Sequence, residues 1–131
     1  MDFFTIEHWA WCMGVGRMMI GLAPFVAAGP ASRWLGFPTA HDNASARLMA
    51  RLFGVRDVGL GVLTIWAAHD FHTLKMVALF QACHDGGDLV SAAVPLVRRE
   101  GIDRGALRTG AFALGGASLW LVLFAVLSRR G

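Results

Sequence analysis

Four long apolar segments separated by short polar connections dominate the chain. They run approximately from Trp9 to Ala28, from Ala44 to Ala68, from Leu74 to Val97 and from Ala106 to Leu127. Each is close to the length of about 20 residues that an α-helix needs to cross the hydrocarbon core of a bilayer. Short connections place consecutive helices side by side in opposite directions. The pattern therefore predicts an all-α fold, a four-helix transmembrane bundle with up-down topology, forming a single domain over residues 1–131.

The composition favours a membrane protein over a soluble one. Hydrophobic residues make up 56% of the chain and charged residues only 16%, whereas charged residues form about 25% of ordinary soluble domains. Too little polar sequence remains to coat four helices with water-facing side chains, although a soluble bundle of fully buried helices is the alternative. The N-terminus lacks the basic segment and the cleavage site of a signal peptide, so we expect the first span to remain in the mature protein.

Two features are typical of a membrane interface. The connection from Gly29 to Pro38 carries aromatic and apolar residues suited to a short turn or helix at the interface. Four tryptophans, Trp9, Trp11, Trp66 and Trp120, are expected in the aromatic belts. We therefore expect membrane lipids as partners of the chain.

The charge distribution bears on partners and on orientation. The net charge of +3 does not indicate a nucleic-acid partner, because the basic residues are divided between spans and short loops. One loop carries Arg98, Arg99, Arg104 and Arg108. The positive-inside rule places this loop in the cytoplasm and both termini outside, while two arginines near the C-terminus argue for the opposite orientation.

A polar stripe interrupts the third span. Gln81, His84, Asp85 and Asp88 are related by steps of three and four residues, so they share one face of a helix. A single ionised side chain in hydrocarbon costs about 3 kcal/mol on insertion scales. The stripe is therefore expected to face partners, water or a ligand inside the bundle.

Charged residues of the first two spans lie at a similar depth to this stripe. Arg17 and the Arg56-Asp57 pair lie near the middle of their spans, and Arg51 lies one to two turns away. The predicted cluster has three positive and three negative charges and is neutral when all are ionised. Its charged members are Arg17, Arg51, Arg56, Asp57, Asp85 and Asp88.

Glycines recur at matching positions in the first two spans. When the two spans are aligned, Gly14 and Gly21 match Gly54 and Gly61, and Arg17 matches Asp57. Chance explains so short a repeat about as well as duplication does. Small residues also recur four apart, at Ala10/Gly14, Ala50/Gly54 and Ala111/Gly115. This small-xxx-small spacing lets membrane helices approach closely, within one chain or between copies. The same spacing predicts a homo-oligomer.

Acid–base chemistry is the leading interpretation of the cluster. Carboxylates one helical turn apart, beside an arginine and a histidine, differ in how readily each holds a proton, so one can accept and another donate. We therefore predict a small membrane enzyme that isomerises, cyclises or opens a strained ring of a lipophilic small molecule, with no cofactor. The predicted catalytic residues are Asp85, Asp88 and Asp57. The predicted substrate-binding residues are Arg17, Arg56, Arg51, His84 and Gln81.

Two alternatives remain open. His84 and Asp88, four residues apart, can ligate one metal ion, but the nearby arginines oppose a cation, so no metal is predicted. The second alternative is a non-catalytic membrane module, either an oligomeric small-solute carrier or an accessory subunit, in which the charges only fix which helices are neighbours.

The order of these motifs resembles that of small four-span integral membrane proteins of unknown function from bacteria, notably actinobacteria. The resemblance implies a four-span fold in the bacterial plasma membrane and singles out the Arg and Asp residues, but it implies no activity. His84 lies outside the shared pattern. The motifs that carry the resemblance are Gly16-Arg17-x-x-x-Gly21-x-x-Pro24, Leu35-Gly36, Arg51-x-x-Gly54-x-Arg56-Asp57-x-x-x-Gly61 and Asp85-x-x-Asp88.

Overall fold

The computed structural model describes the backbone of residues 3–130 and the side chains of residues 5–130. Within this range the protein is all-α and has no strand, which confirms the predicted class. The four long helices coincide with the four apolar segments, and a fifth, short helix lies in the first connection. The helices are α1 (Phe3–Val26), α2 (Ala28–Leu35), α3 (Ala44–Ala67), α4 (Phe71–Arg98) and α5 (Asp103–Ser128), with a 3₁₀ turn at Thr39–His41.

Two of the described helices are long and apolar enough to cross a membrane. They are Thr5–Val26, within α1, and Asp103–Ser128, which is α5. Only 22% and 33% of their most apolar stretches are buried in the bundle, whereas the core helix of a soluble protein is mostly buried. Charged residues interrupt α3 and α4, so neither of these helices is apolar enough to count as a candidate membrane span. The structure therefore gives weak support for membrane helices and does not establish four spans.

Local sequence signals fix the ends of the helices. The side chain of Asn43 accepts a hydrogen bond from the backbone N–H of Ala46 at 2.9 Å and caps the start of α3. Gly36 has a φ of 93° and ends α2 in the left-handed conformation, which glycine adopts without steric cost. These two caps end α2 at Leu35 and start α3 at Ala44, so the connection between the two helices is short.

Glycines bring α1 and α3 into backbone contact in opposite directions. A Cβ atom on Gly14 would lie 2.9 Å from the carbonyl oxygen of Gly61, and a Cβ atom on Gly21 would lie 2.5 Å from that of Gly54. Gly14 therefore faces Gly61, and Gly21 faces Gly54. Because the two helices run in opposite directions, the two glycine pairs are related by an approximate local two-fold axis. Arg17 lies near the centre of this contact, where it meets Asp57.

The apolar core lies at the end of the bundle that holds both chain termini. Trp120 is only 2% exposed there, so the prediction of an interfacial position was wrong for it, whereas Trp11 and Trp66 are exposed. The reason is helical register, because Trp120, Leu123 and Leu127 form one stripe of α5. The core includes Ile6, Ala10, Ala67, Ala68, Leu74, Val77, Ala78, Ala82, Trp120, Leu123 and Leu127.

The opposite end of the bundle holds α2 and the arginine-rich connections. Phe37 fills the space beside Gly105, at the start of α5. The Arg108 guanidinium Nη1 donates a hydrogen bond to the carbonyl oxygen of Trp34 at 2.5 Å. These contacts tie α2 to α5 and leave one face of α2 against the end of α1.

The N-cap of α4 gives the fold a pH dependence. The pKa of Asp70 is below its ordinary value of 3.8, chiefly because the Thr73 hydroxyl donates to its carboxylate, and the Thr73 backbone N–H also donates to it at 2.8 Å. A lowered pKa stabilises the fold above the ordinary value, and this stabilisation is lost as the pH falls through the lowered one. We expect Asp70→Ala to lower the melting temperature in detergent at neutral pH, and the difference from wild type to shrink below pH 3.8.

Asp70→Ser is the matched control for this substitution, because serine keeps an N-cap acceptor but carries no charge. It should retain most of the neutral-pH stability and show little change with pH. An Asp70→Ala deficit of the same size at every pH would contradict a charged cap.

Candidate functional site

A buried arginine joins α1 to α3 and α4. Arg17 donates to Asp85 with both terminal nitrogens, from Nη1 to Oδ2 at 3.0 Å and from Nη2 to Oδ1 at 2.6 Å. Its Nη2 also lies 3.4 Å from Oδ1 of Asp57. Two-pronged contact between arginine and carboxylate is the strongest common form of ion pair, since both hydrogen bonds are charge-assisted. Arg17 therefore binds carboxylates from two other helices at once.

A second arginine extends the network along α3. Arg56 donates from Nη2 to Oδ2 of Asp88 at 2.8 Å and from Nη1 to Oδ1 at 3.4 Å. Its Nη2 lies 3.4 Å from the same Asp57 oxygen that Arg17 contacts. The ring of Phe53 supports the guanidinium, with 4.5 Å between Cζ and the ring centroid. Asp57 thus links two arginine–aspartate pairs into one continuous network.

The network has a buried end and an accessible end. The side chains of Arg17, Asp57 and Asp85 are 9%, 5% and 8% exposed. Those of Arg56 and Asp88 are 35% and 26% exposed. The buried end is therefore closed off by protein, while the accessible end opens onto the surface of the bundle between α3 and α4.

Arg51 does not join the predicted cluster. It is exposed and lines a cleft beside α2, one to two turns from the network. The described network consequently contains two arginines and three aspartates, so it carries one negative charge when every member is ionised. The neutral balance expected from the sequence is not present without a further proton or cation.

His84 lies beside both α4 carboxylates. Its Nδ1 is 3.9 Å from Oδ1 of Asp85 and 3.8 Å from Oδ2 of Asp88. These separations are too long for direct hydrogen bonds, and this buried nitrogen has no hydrogen-bond partner in the described part of the chain. A protonated His84 would neutralise the excess negative charge of the network.

Gln81 lies in the interface between α3 and α4. It is fully buried, and its amide nitrogen donates to the carbonyl oxygen of Leu60 at 3.1 Å and to the hydroxyl of Thr64. Gln81 therefore joins α4 to α3 about one helical turn from the network. Its amide oxygen Oε1 has no hydrogen-bond partner among the described residues. Sequence reasoning missed Thr64, although it follows Asp57 by two helical turns and shares its face.

Gly116 of α5 was also missed as a member of the site. A Cβ atom at this position would overlap the Asp85 carboxylate, so the absence of a side chain makes room for the buried end of the network. Its neighbour Gly115 has open space around it. The glycine pair in the sequence gave a signal here, but only the packing of α5 against α4 shows which glycine matters.

Three side chains offer ligand atoms to one point. One atom each from His84, Asp85 and Asp88 lies within 4.8 Å of the other two. Separations of this size leave a point that lies within about 2.8 Å of all three atoms, which is a hydrogen-bond distance. Because Arg17 and Arg56 already engage both carboxylates, a divalent cation would compete with two guanidinium groups. The arrangement therefore suits a polar oxygen of a ligand better than a metal ion.

Most predicted site residues are brought together by the fold. Asp57, Asp85 and Asp88 share two arginines, and His84 completes the accessible end, while Gln81 lies within the helix interface and Arg51 lies outside. The network therefore has an imidazole and a carboxylate at its accessible end and ion-paired groups at its buried end. Searches against models of protein families, curated proteins and solved structures find no match for this chain.

Proposed function

We propose that the protein is a four-span integral membrane enzyme that carries out acid–base chemistry on a lipophilic small molecule, without a cofactor. The observation that carries the proposal is the unequal exposure of the charge network. Asp88 and His84 form its accessible edge, and Arg17, Asp57 and Asp85 form its buried support. The reaction class is isomerisation, cyclisation or opening of a strained ring, each of which needs a proton acceptor and a proton donor but no electron transfer.

The surface of the bundle supports a membrane location. Large apolar side chains are exposed on every long helix, including Met19 at 63%, Leu52 at 55%, Phe80 at 54% and Leu121 at 51%. Exposed apolar area spread over a whole surface is unfavourable in water and suits contact with lipid or with other copies of the chain. Membrane lipids and a homo-oligomer are therefore the proposed partners, and the bacterial plasma membrane is the proposed location.

The charge at the two ends supports an orientation. The end with α2 carries seven arginines and three acidic residues. The positive-inside rule places this end in the cytoplasm and the termini outside. The seven arginines are Arg33, Arg47, Arg51, Arg98, Arg99, Arg104 and Arg108.

The accessible edge has a route for an apolar substrate. Phe80 precedes His84 by one turn of α4, with ring centroids 6.3 Å apart, and no atom lies near the position of a Cβ on Gly87. A lipophilic molecule can therefore approach His84 and Asp88 from the side of the bundle. Its polar atom would lie at the point shared by His84, Asp85 and Asp88.

The roles follow from the contacts of each group. Asp88 is the proton acceptor because it is the most accessible of the three carboxylates. His84, once protonated, is the donor to the substrate oxygen. Arg56 positions Asp88, and Arg17 holds Asp85 and Asp57 in place, so the buried carboxylates act through electrostatics and positioning.

A non-catalytic module is the second candidate. The observation that favours it is Arg17, whose two-pronged contact with Asp85 and contact with Asp57 fix three helices without any ligand. In that case the network specifies which helices are neighbours, a role attested for buried polar groups in helical assemblies.

Deuterium incorporation into a small molecule distinguishes the enzyme from the non-catalytic module. Wild-type protein in detergent, incubated in D₂O with a lipophilic extract of its host membrane, is expected to introduce deuterium at carbon into one compound, detected by untargeted mass spectrometry. Asp88→Asn should reduce this incorporation by about 10²–10⁴-fold, the typical contribution of a positioned acid–base group. Asp88 is partly exposed, so this variant is expected to stay folded.

His72→Gln is the matched control, because His72 is an exposed histidine on the first turn of α4, far from the network. It should leave deuterium incorporation unchanged, whereas His84→Gln should reduce it. Deuterium at carbon reports isomerisation or cyclisation, and a product that has gained the elements of water reports ring opening in the same sample. The enzyme proposal would be overturned by a wild-type protein that gives neither signal above a heat-denatured sample, or by an Asp88→Asn variant with wild-type signals.

A further inference from the structure

A cleft of about 320 Å³ lies at the arginine-rich end of the bundle. It is separate from the charge network and is formed by the end of α1, the start of α2 and the first two turns of α3. Its volume is at the lower end of the range of about 300–1,000 Å³ that is typical of small-ligand sites. It is lined by Arg33, Asp42, Arg47 and Arg51 and by Ala28 and Gly29 at the start of α2.

Positive charge exceeds negative charge in this cleft. Arg47 donates to Asp42 from Nε at 2.7 Å and from Nη2 at 3.2 Å, and Arg33 approaches the same carboxylate at 3.5 Å. Hydrogen bonding from Arg47 lowers the pKa of Asp42, so the carboxylate is ionised at neutral pH and anchors both arginines. Three arginines against one aspartate leave an excess of two positive charges.

Of the three arginines that line the cleft, Arg51 is the one without an ion pair in the described part of the chain. It is exposed on α3 and makes no hydrogen bond or ion pair with the described residues. It lines the cleft together with Arg47, one helical turn earlier. Two guanidinium groups on one helix face thus border the same space, and only one of them is held by an internal carboxylate.

The start of α2 adds a further attraction for anions. Ala28 and Gly29, the first residues of α2, line the cleft, and no side chain caps this helix terminus. The N-terminus of a helix carries partial positive charge from its unpaired backbone N–H groups. Ala28 and Gly29 are both buried, and a Cβ atom on Gly29 would lie 3.2 Å from Oδ2 of Asp42. The arginine side chains are therefore the main attraction for a phosphate group, and the helix N-terminus adds to them.

We propose that this cleft binds a phosphate group, with Arg51 and Arg47 as its cationic ligands. The group belongs to an anionic lipid headgroup or to a free phosphate compound. The neighbouring Trp34 is 66% exposed, as suits a side chain at the membrane interface. The proposal is independent of the acid–base chemistry, and only the lipid source rests on the proposed membrane location.

Binding measurements on the full chain test the site. The protein is reconstituted in nanodiscs of phosphatidylcholine, with or without phosphatidylglycerol, and lipids retained through purification in mild detergent are measured by native mass spectrometry. Binding of inorganic phosphate is measured separately in detergent by calorimetry. Arg51→Gln is expected to weaken binding by about tenfold or more, the usual effect of losing one charge-assisted hydrogen bond.

Arg98→Gln is the matched control, because it removes the same charge from an exposed arginine at the same end of the bundle but outside the cleft. It should bind as wild type does. Retention of phosphatidylglycerol that depends on Arg51 supports a lipid headgroup, and phosphate binding that depends on Arg51 without lipid retention supports a free phosphate compound.

Equal binding by wild type, Arg51→Gln and Arg98→Gln would overturn the site, as would equal losses in both variants, because general charge attraction would then explain the binding. Washing membranes with alkaline carbonate tests the location separately. A protein released by that wash but still able to bind phosphate through Arg51 would refute the membrane proposal and leave the phosphate site intact.

Discussion

Arg17→Gln is expected to destabilise the protein by about 3–5 kcal/mol, the typical cost of removing one partner from a buried ion pair. Glutamine is shorter and uncharged, so Asp85 loses both of its charge-assisted hydrogen bonds and Asp57 loses one of its two arginine contacts. Both carboxylates are more than nine-tenths buried and cannot recover these contacts from solvent. The free energy of unfolding is measured by titrating the purified protein from mild detergent into a denaturing one.

Arg56→Gln provides the comparison within the same network. It removes the same charge, but Arg56 and Asp88 are both partly exposed, so water or lipid headgroups can replace part of the lost interaction. Its cost should be clearly smaller. If the two substitutions destabilise the protein equally, burial does not distinguish the two ends of the network.

A double variant keeps the first prediction informative if Arg17→Gln does not fold. Arg17→Gln combined with Asp85→Asn removes one charge of each sign and leaves two groups that can hydrogen bond to each other. It should recover a large part of the lost stability, since the unpaired charge is the main source of the cost. A double variant less stable than Arg17→Gln would contradict direct pairing of these residues.

Gly54→Ala is expected to destabilise the protein by about 1–3 kcal/mol or more, the usual range for overpacking a tight interface. The new Cβ atom would overlap the carbonyl oxygen of Gly21 and lie 2.8 Å from the backbone nitrogen of Phe25. Both neighbours are backbone atoms of α1, which cannot move aside by rotating a side chain. The helices must separate, and this would also draw Arg17 away from Asp57.

Gly59→Ala is the control on the same helix. No atom lies within 4 Å of a Cβ built at Gly59, so this substitution adds helix propensity without a clash. It should stabilise α3 by about 0.5–1 kcal/mol. Opposite signs for Gly54→Ala and Gly59→Ala are the expected result, measured by melting temperature and by the same unfolding titration. A destabilising Gly59→Ala or a neutral Gly54→Ala would contradict the packing of α1 on α3.

The candidate site could be predicted in part because depth along a helix is readable from sequence. Counting residues from the middle of each apolar segment places Arg17, Asp57 and Asp85 at one level, and the structure brings these three into direct contact. Steps of three and four residues also place His84, Asp85 and Asp88 on one face of α4. These inferences need only the fixed geometry of an α-helix.

Rotation about the helix axis could not be read in the same way. Arg51 precedes Asp57 by six residues, which is a rotation of about 120° around α3, so it faces the cleft beside α2 and not the network. The same limitation misplaced Trp120, which lies near a span end but turns into the core. Which side of a helix meets its neighbours depends on the packing of all the helices.

By itself, the sequence determined the helical class, the four long helices and the level at which charges converge, because segment length and helical periodicity are local properties. Only the tertiary structure decided that Arg17 binds two aspartates, that Arg51 borders a separate cleft and that the Nδ1 atom of His84 lies between two carboxylates without a hydrogen bond to either. Pairings of this kind depend on the close approach of α1 and α3 at their glycines and on the rotation of α4, which are fixed by contacts between residues far apart in the chain.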